Sequence, residues 1–197
     1  MKECGLKSVV KVKKYRSYRG LQGKIAPNLL ARDFRAESPC QKWVTDVTEF
    51  KVRGKKLFLS PILDLYNGEI ISYKLSEKAT LPMVMGMLQK AIVKKFPVNG
   101  LIIHSDQGWQ YQMKVWQQAL NDNNIRQSMS RKGNCLDNAV MESFFSILKS
   151  ELFYLQQFTS IEELKKAIVN YIRYYNNDRI KLKLKGLSPV QYRTQAA

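Results

Sequence analysis

Histidine and cysteine are scarce in this sequence. Its 197 residues contain one histidine, His104, and three cysteines, Cys4, Cys40 and Cys135. The cysteines are odd in number and form no CxxC pair, so a structural zinc site with the usual ligand spacing is excluded. We expect unpaired, reduced thiols, as in a reducing compartment.

Long apolar runs are also absent. No run approaches the roughly 18 to 20 residues that a membrane span needs, and the N-terminal "MKECGLKSVVKVKKYRSYRG" is basic throughout, without an apolar secretory segment. We therefore expect no membrane partner and a cytoplasmic location. The P-loop pattern GxxxxGK[ST] does not occur, which argues against dependence on ATP.

Acidic residues are few relative to basic ones. The chain has 33 Lys and Arg against 16 Asp and Glu, a net charge of +17. Such an excess favours polyanionic partners, most commonly nucleic acid. Residues 1–24 hold eight basic residues, with Tyr15 and Tyr18 between them, which predicts a nucleic-acid-binding arm; a solvated basic tail is the alternative. The candidate DNA contacts in this arm are Lys11, Lys13, Lys14 and Arg16.

The hydrophobic pattern divides the chain near residue 40. Residues 1–40 lack a clear period and are predicted to be a basic arm or linker, whereas residues 41–197 are predicted to form the folded core. Residues 43–76 show the alternation of a three-stranded antiparallel meander, with a hairpin signal at Asn67-Gly68.

Helical and strand periods alternate after the meander. The order is a helix over 80–96, an apolar strand in "GLIIHSD", a helix over 112–124 and a fifth strand in "IRQSMS". Further helices are predicted over 137–153 and 160–180, the latter with a Ser160–Glu163 capping box. This order predicts an α/β fold with a mixed five-stranded sheet flanked by helices.

Three acidic residues occupy positions that suggest chemistry. Asp46 is predicted to lie within the first strand, Asp106 at the end of the apolar strand and Glu142 in the helix 137–153. An acid within a strand is unfavourable, and costly if buried, unless a cation offsets its charge. The alternatives are strand-end caps and a solvated helix residue, and Asp64 is a fourth candidate that periodicity leaves open.

The same helix has a defined polar edge. At about 100° per residue, Asn138, Glu142 and Lys149 lie along one edge of its apolar stripe. That stripe consists of Met141, Phe145, Leu148 and Leu152. The helix can therefore pack on the sheet while it presents Glu142 to the strand ends.

Three segments carry a resemblance to a known family: "WVTDVTEF", "HSDQGWQY" and "RKGNCLDNAVMESFFSILKSE". They resemble the catalytic core of bacterial insertion-sequence transposases of the DDE type (OrfB-like), the group closest to retroviral integrases. Thirty-five residues separate Asp106 from Glu142, as in that group's aspartate-aspartate-35-glutamate signature. "APNLLARDF" and "YNNDRIKLKLKGLSPVQY" resemble the family's lead-in and C-terminal end.

The resemblance implies a ribonuclease H-like fold and a catalytic, metal-binding triad of Asp46, Asp106 and Glu142. It implies that Asn138 and Lys149 contact DNA, and that Asp64 is structural. Carboxylates suit Mg²⁺, and two ions per site, replaceable by Mn²⁺, would activate the nucleophile and the leaving oxygen. Asp46 would bridge both ions, and Asp106 and Glu142 would each hold one.

The function expected from these features is transposition. A Mg²⁺-dependent enzyme would cleave transposon ends and join them to target DNA, working as a homo-oligomer in a synaptic complex and associating with the nucleoid when active. One alternative is a non-catalytic DNA-binding remnant that acts as a regulator, because family members usually carry an upstream helix-turn-helix region and we expect this chain to begin after it. Another is a ribonuclease H-type nuclease acting on RNA–DNA hybrids.

Several side chains near these motifs have two interpretations. Arg131 and Lys132 either contact phosphates or lie in a solvated loop. Aromatic side chains after Asp106, namely Trp109, Tyr111 and Trp116, either stack on unpaired bases or, as favoured for Trp116, belong to the core. His104 is expected to be a hydrogen-bonded sheet residue, with a contact to metal-bound water or DNA as the alternative.

Overall fold

The computed structural model describes residues 23–94 and 100–195, apart from the side chain of Cys135. The candidate arm contacts Lys11, Lys13, Lys14 and Arg16 lie outside these ranges. The division predicted at residue 40 stays a prediction.

A mixed sheet forms the centre of the described chain. Its strands, in chain order, are β1 (Lys42–Thr45), β2 (Thr48–Val52), β3 (Lys55–Asp64), β4 (Ile70–Ser76), β5 (Ile102–Ser105) and β6 (Arg126–Met129). β3 pairs antiparallel with β4 on one side and with both β1 and β2 on the other. β5 lies parallel between β1 and β6. The predicted mixed sheet is confirmed, with the predicted first strand divided in two.

The division falls at Asp46 and Val47, so the prediction that Asp46 lies within a strand was wrong by one residue. Thr45 faces Ile62 and Thr48 faces Leu59, so the register of β1 and β2 against β3 is continuous across the gap. In that register Asp46 lies opposite Pro61, which contributes no N–H to the ladder. The hydrogen-bonding pattern between the strands is therefore interrupted at Asp46.

Helices cover the sheet. They are α1 (Leu81–Val93), α2 (Lys114–Asp122), α3 (Ala139–Leu148), α4 (Ile161–Asn177) and α5 (Pro189–Gln195). Short 3-10 helices span Trp109–Gln112, Cys135–Asn138 and Leu182–Leu184. The capping residue of α4 is Ser160, as predicted: its hydroxyl accepts from the Glu163 N–H, and the Glu163 carboxylate accepts from the Thr159 N–H.

The predicted helix 137–153 has three backbone geometries. The 3-10 turn leads into α3, and α3 continues into a π-helix over Lys149–Phe153, in which the Tyr154 N–H donates to the Lys149 carbonyl. The predicted apolar stripe, Met141, Phe145, Leu148 and Leu152, is buried, together with Phe144. The wider π turn changes the angular position of the last of these residues relative to a uniform α-helix.

Two hydrophobic cores lie on the two faces of the sheet. Val44 packs into the core that includes residues of α3 and α4. Its neighbour Trp43 packs into the core that includes residues of α1 and α2. Adjacent strand residues point to opposite faces, so β1 is buried on both sides and its end is held firmly. No helix in the described ranges is long and apolar enough to cross a membrane.

Candidate active site

Asp46 and Asp106 directly follow two adjacent parallel strands, at the same end of the sheet. β1 and β5 run parallel, with Val44 opposite His104, and each aspartate follows two residues later. Neighbouring strands are about 4.8 Å apart, so the parallel register brings the two carboxylates to the same place. Both residues are partly exposed at the strand ends.

Hydrogen bonds fix the Asp46 carboxylate. Its Oδ1 accepts from the Val47 N–H at 2.7 Å, and its Oδ2 accepts from the Asn138 side-chain amide at 3.1 Å. Burial raises the pKa of Asp46 well above its usual value, and the charges of Asp106 and Glu142 raise it further; the Val47 N–H and Lys149 oppose the shift. Asp46 therefore lies close to other negative charge.

The Asp106 carboxylate is held by the turn that follows it. Its Oδ1 accepts from the Gly108 N–H at 2.8 Å, which partly offsets the rise in the pKa of Asp106 that burial causes. A Cβ on Gly108 would lie 2.8 Å from that same oxygen. The φ of Gly108 is −56°, so glycine is required by close approach of the carboxylate and not by backbone conformation.

Glu142 lies on α3, one turn after Asn138. Its side chain is exposed, and loss of hydration raises its pKa. Two contacts attach the helix to the end of β1 and the start of β2: Asn138 to Asp46, and Lys149 Nζ to Thr48 Oγ1 at 2.7 Å. Glu142 lies between these two contacts in the sequence, and its charge raises the pKa of Asp46.

Asp106 and Glu142 influence Asp46 electrostatically, but the three side chains are not grouped around a common point. Among the described residues, no three His, Cys, Asp or Glu side chains are already arranged to hold a metal ion. The donor set nevertheless fits a hard divalent cation, because it offers carboxylate oxygens only. Burial, together with the charges of Asp106 and Glu142, raises the pKa of Asp46, and a bound cation would offset the negative charge that is unfavourable there.

The aromatic side chains after Asp106 are largely structural. Tyr111 and Trp116 are each 1% exposed and pack edge to face at 5.1 Å, so the core position favoured for Trp116 is confirmed and the alternative that Tyr111 stacks on unpaired bases was wrong. Tyr111 lies near both aspartates, since their charges add to the burial that raises its pKa. Trp109 is half-buried in the 3-10 helix that follows Gly108.

Of the two predicted loop contacts, Arg131 has a structural partner. Its guanidinium binds both carboxylate oxygens of Asp137, each at 2.9 Å, whereas Lys132 is exposed. The side chain of Asp137 is fully buried, and these hydrogen bonds hold its pKa far below the usual range. Sequence periodicity gave no signal for Asp137; its place directly before Asn138 was the only indication.

His104 is a buried sheet residue, as expected. Its Nδ1 lies 2.8 Å from the hydroxyl of Ser128, which also accepts the N–H groups of Leu29 and Leu30. Because the hydroxyl oxygen accepts two hydrogen bonds, its proton is left to donate to Nδ1. Burial lowers the pKa of His104 to about 4, against the effect of Asp137, so the ring is neutral at pH 7.

Asp64 lies at the other end of β1, opposite Trp43. It is fully buried and accepts from the Cys40 N–H and from Arg193 of α5, both at 2.8 Å. These contacts attach the C-terminal helix to the sheet. Asp64 is therefore a structural residue and is separate from Asp46 and Asp106.

Comparison with known sequences places this site in a family. Residues 36–135 and 142–196 each match a sequence profile described as an integrase core domain. The chain is 58% identical over 195 residues to the putative transposase InsK for insertion sequence element IS150 of Escherichia coli, covering 99% of the chain and 69% of that relative. The chain belongs to the integrase core family.

Other members of the family agree with this assignment. The chain is 54% identical to an uncharacterized transposase-like protein of Haemophilus influenzae, covering 100% of the chain and 90% of that relative. It is 37% identical to the transposase InsF for insertion sequence IS3A of Escherichia coli, covering 89% of the chain and 62% of that relative. The predicted resemblance to insertion-sequence transposases with an integrase-type core is confirmed.

Solved structures confirm the ribonuclease H-like fold. The catalytic core domain of HTLV-2 integrase in complex with magnesium, in its dimeric form, superposes with a TM-score of 0.65 at 22% identity, covering 81% of this chain and 99% of that one. The core domain of BIV integrase gives a TM-score of 0.59 at 16% identity, covering 80% and 95%. At these identities the likeness concerns the fold alone.

Proposed function

We propose that this integrase core catalyses DNA transposition with Asp46, Asp106 and Glu142 as its catalytic carboxylates. The observation that carries the proposal is the parallel register of β1 and β5, which brings Asp46 and Asp106 together. Asn138 joins the helix that bears Glu142 to Asp46. Asp46 and Asp106 thus share one end of the sheet, and the helix that bears Glu142 is attached there.

The proposed cofactor is a pair of Mg²⁺ ions, with Mn²⁺ as a substitute. All three carboxylates would hold the ions, and the like charges at Asp46 favour a bound cation. When bound, such ions polarise the phosphate and activate the oxygen nucleophile. HTLV-2 integrase, a relative by fold, has been solved with magnesium.

The chain's own side chains orient the site. Asn138 restrains Asp46, the Gly108 N–H restrains Asp106, and Lys149 places positive charge beside Asp46. In cleavage these residues would keep the carboxylates in place while water attacks the scissile phosphate and the 3′-oxygen of the cleaved strand leaves. In strand transfer that 3′-OH would attack a target phosphate in the same way, with the adjacent target 3′-oxygen as leaving group and without a covalent protein–DNA intermediate.

The proposed partners are transposon ends and target DNA. The net charge of +17 supports binding to polyanions. Joining two ends in one event needs a homo-oligomeric synaptic complex. Among the relatives by fold, HTLV-2 integrase has been solved in dimeric and trimeric forms, and a simian T-cell lymphotropic virus intasome is known.

Two alternatives remain as outcomes of the same assays. A non-catalytic regulator is not favoured, because the parallel strand register brings Asp46 and Asp106 together and a hydrogen bond restrains each of these two carboxylates. A ribonuclease H-type nuclease would degrade RNA–DNA hybrids and yield no joined products.

The test is Asp106→Asn in a Mg²⁺-dependent cleavage and strand-transfer assay with transposon-end DNA. We expect an unchanged fold by circular dichroism and loss of both activities. Asp122→Asn makes the same chemical change at an exposed position of α2 and should keep both activities. Near-full strand transfer by Asp106→Asn would refute the assignment.

A further inference from the structure

The segment of residues 23–40, here called the connector, contains a strained turn. The Asp33 N–H donates to the Leu30 carbonyl at 2.8 Å, and the two central residues, Ala31 and Arg32, have φ of 47° and 66°. Turns with two left-handed residues favour glycine or asparagine. Alanine and arginine adopt this conformation only where the surroundings hold them, at a cost of order 1 kcal/mol or more each.

The surroundings that hold the turn are the side chains of Asp137 and Ser128. Arg32 Nε donates to Asp137 Oδ1 at 2.9 Å, and Asn28 Nδ2 donates to Asp137 Oδ2 at 3.1 Å. The N–H groups of Leu29 and Leu30 donate to the Ser128 hydroxyl at 2.9 and 3.1 Å. The connector is thus attached to the sheet and to the start of the helix that carries Glu142.

Asp137 joins three segments of the chain. Its buried carboxylate accepts hydrogen bonds from Asn28 and Arg32 of the connector and from the backbone and guanidinium of Arg131 after β6. A buried carboxylate is stable only when its lone pairs are satisfied in this way. The position of Asp137, and with it that of the next residue, therefore depends on the connector.

The next residue is Asn138, whose amide donates to Asp46. We propose that Asp137 is a positioning residue for the carboxylate site. Arg32 joins the connector to Asp137. Through this contact the connector fixes the positions of Asn138 and of Glu142 one turn later. Release of the connector lets the start of α3 shift, so that Asn138 no longer restrains Asp46. The inference rests on the proposed function of the site.

Loss of the contact between the connector and Asp137 should weaken the binding of metal ions at the carboxylates. Residues that orient metal ligands typically change metal affinity 10- to 100-fold when removed. Arg32 is suited to the test, because its side chain is 43% exposed and its removal leaves the Arg131–Asp137 pair in place. Asp137 itself is less suitable, since its replacement removes the carboxylate that pairs with two arginines.

The experiment measures binding of Mn²⁺ alone to the full chain by isothermal titration calorimetry. We expect Arg32→Ala to weaken Mn²⁺ binding about ten-fold, with a circular dichroism spectrum like that of the wild type. Arg35→Ala removes the same charge from the same connector without a contact to Asp137 and should bind Mn²⁺ as the wild type does.

A double-mutant cycle separates positioning from general destabilisation. If Arg32 acts through Asn138, then Asn138→Ala weakens Mn²⁺ binding and the double variant binds no more weakly than Asn138→Ala alone. Independent effects would multiply. Multiplied losses, unchanged binding by Arg32→Ala, or unchanged binding by Asn138→Ala would each overturn the inference.

The same titration distinguishes this inference from the proposed function. A wild-type chain that binds no Mn²⁺ would refute the metal site and the positioning role together. A wild-type chain that binds Mn²⁺, with Arg32→Ala indistinguishable from it, would refute the positioning role alone.

Discussion

The side-chain amide of Asn138 donates a hydrogen bond of 3.1 Å to Oδ2 of Asp46, a residue 92 positions earlier in the chain. This bond connects the end of the sheet where Asp46 and Asp106 lie with the helix that carries Glu142. It orients one carboxylate without neutralising it. The pKa of Asp46 accordingly remains raised by burial and by the neighbouring acids, which leads to the first two predictions.

Asp46→Asn should stabilise the metal-free protein. Because the folded-state pKa of Asp46 lies above its ordinary value, ionisation at pH 7.5 opposes folding, and the amide removes that charge. We expect a Tm several degrees higher in EDTA at pH 7.5, since about 1 kcal/mol corresponds to about 2–4 °C in a chain of this size. At pH 3.5, where the carboxyl is protonated in the folded state and largely protonated in the unfolded state, the difference should be much smaller. Equal Tm values of the wild type and Asp46→Asn at pH 7.5 would contradict a destabilising negative charge at Asp46.

Mg²⁺ should raise the Tm of the wild type at pH 7.5 more than at pH 5. The raised pKa values of Asp46 and Asp106 mean that protons compete with the cation as pH falls. At 100 times its dissociation constant the ion would stabilise the fold by about 2.7 kcal/mol. Differential scanning calorimetry of wild type and Asp106→Asn tests this, and a shift that persists in the variant would place the ion elsewhere.

Gly108→Ala should impair the chemistry with a small effect on stability. The added Cβ would lie 2.8 Å from Asp106 Oδ1 and 3.2 Å from Gln110 Oε1, so the carboxylate must move. We expect strand cleavage to fall more than about ten-fold, since small misplacements at a reacting centre are costly. The matched control is Gly86→Ala in α1, where the nearest side-chain atoms are 4.0 Å away and activity should be unchanged.

His104 should titrate far below an ordinary histidine. Burial lowers its pKa to about 4, so the folded state stays neutral while the unfolded chain takes up a proton near pH 6.5. The contribution to stability is present above pH 6.5 and is lost as pH falls towards 4. Since His104 is the only histidine in the sequence, NMR of the untagged chain reports it directly. A midpoint near 6.5 would contradict its burial.

Sequence patterns predicted the elements of the fold where burial is periodic. β5, bounded by Ile102 and Ser105, is wholly buried, as the apolar run at its start indicated. The stripe of Met141, Phe145 and Leu148 is buried as the helical period required. The division of the first strand at Asp46 was missed, because the alternation of side chains continues through the gap and the register against β3 does not change.

The contacts of individual polar and aromatic side chains could not be predicted from sequence patterns. Arg131 was expected to face either phosphates or solvent, yet it binds a buried Asp137. Tyr111 was a candidate for base stacking, yet it lies in the core beneath the aspartates. In each case the surroundings of the side chain are set by tertiary packing, so the pattern of the residue itself carried no information about its partner.

The amino-acid sequence by itself determined the order of strands and helices, because hydrophobic period is a local property of the chain, and its resemblance to insertion-sequence transposases is what singled out Asp46, Asp106 and Glu142 for the proposal. Tertiary structure alone decided that Asp46 and Asp106 are neighbours, that Asn138 joins α3 to them, and that the connector reaches that helix through Asp137. These relationships arise from parallel strand register and from buried hydrogen bonds. Both depend on how distant segments pack, and their free energy is realised only when water is excluded between those segments.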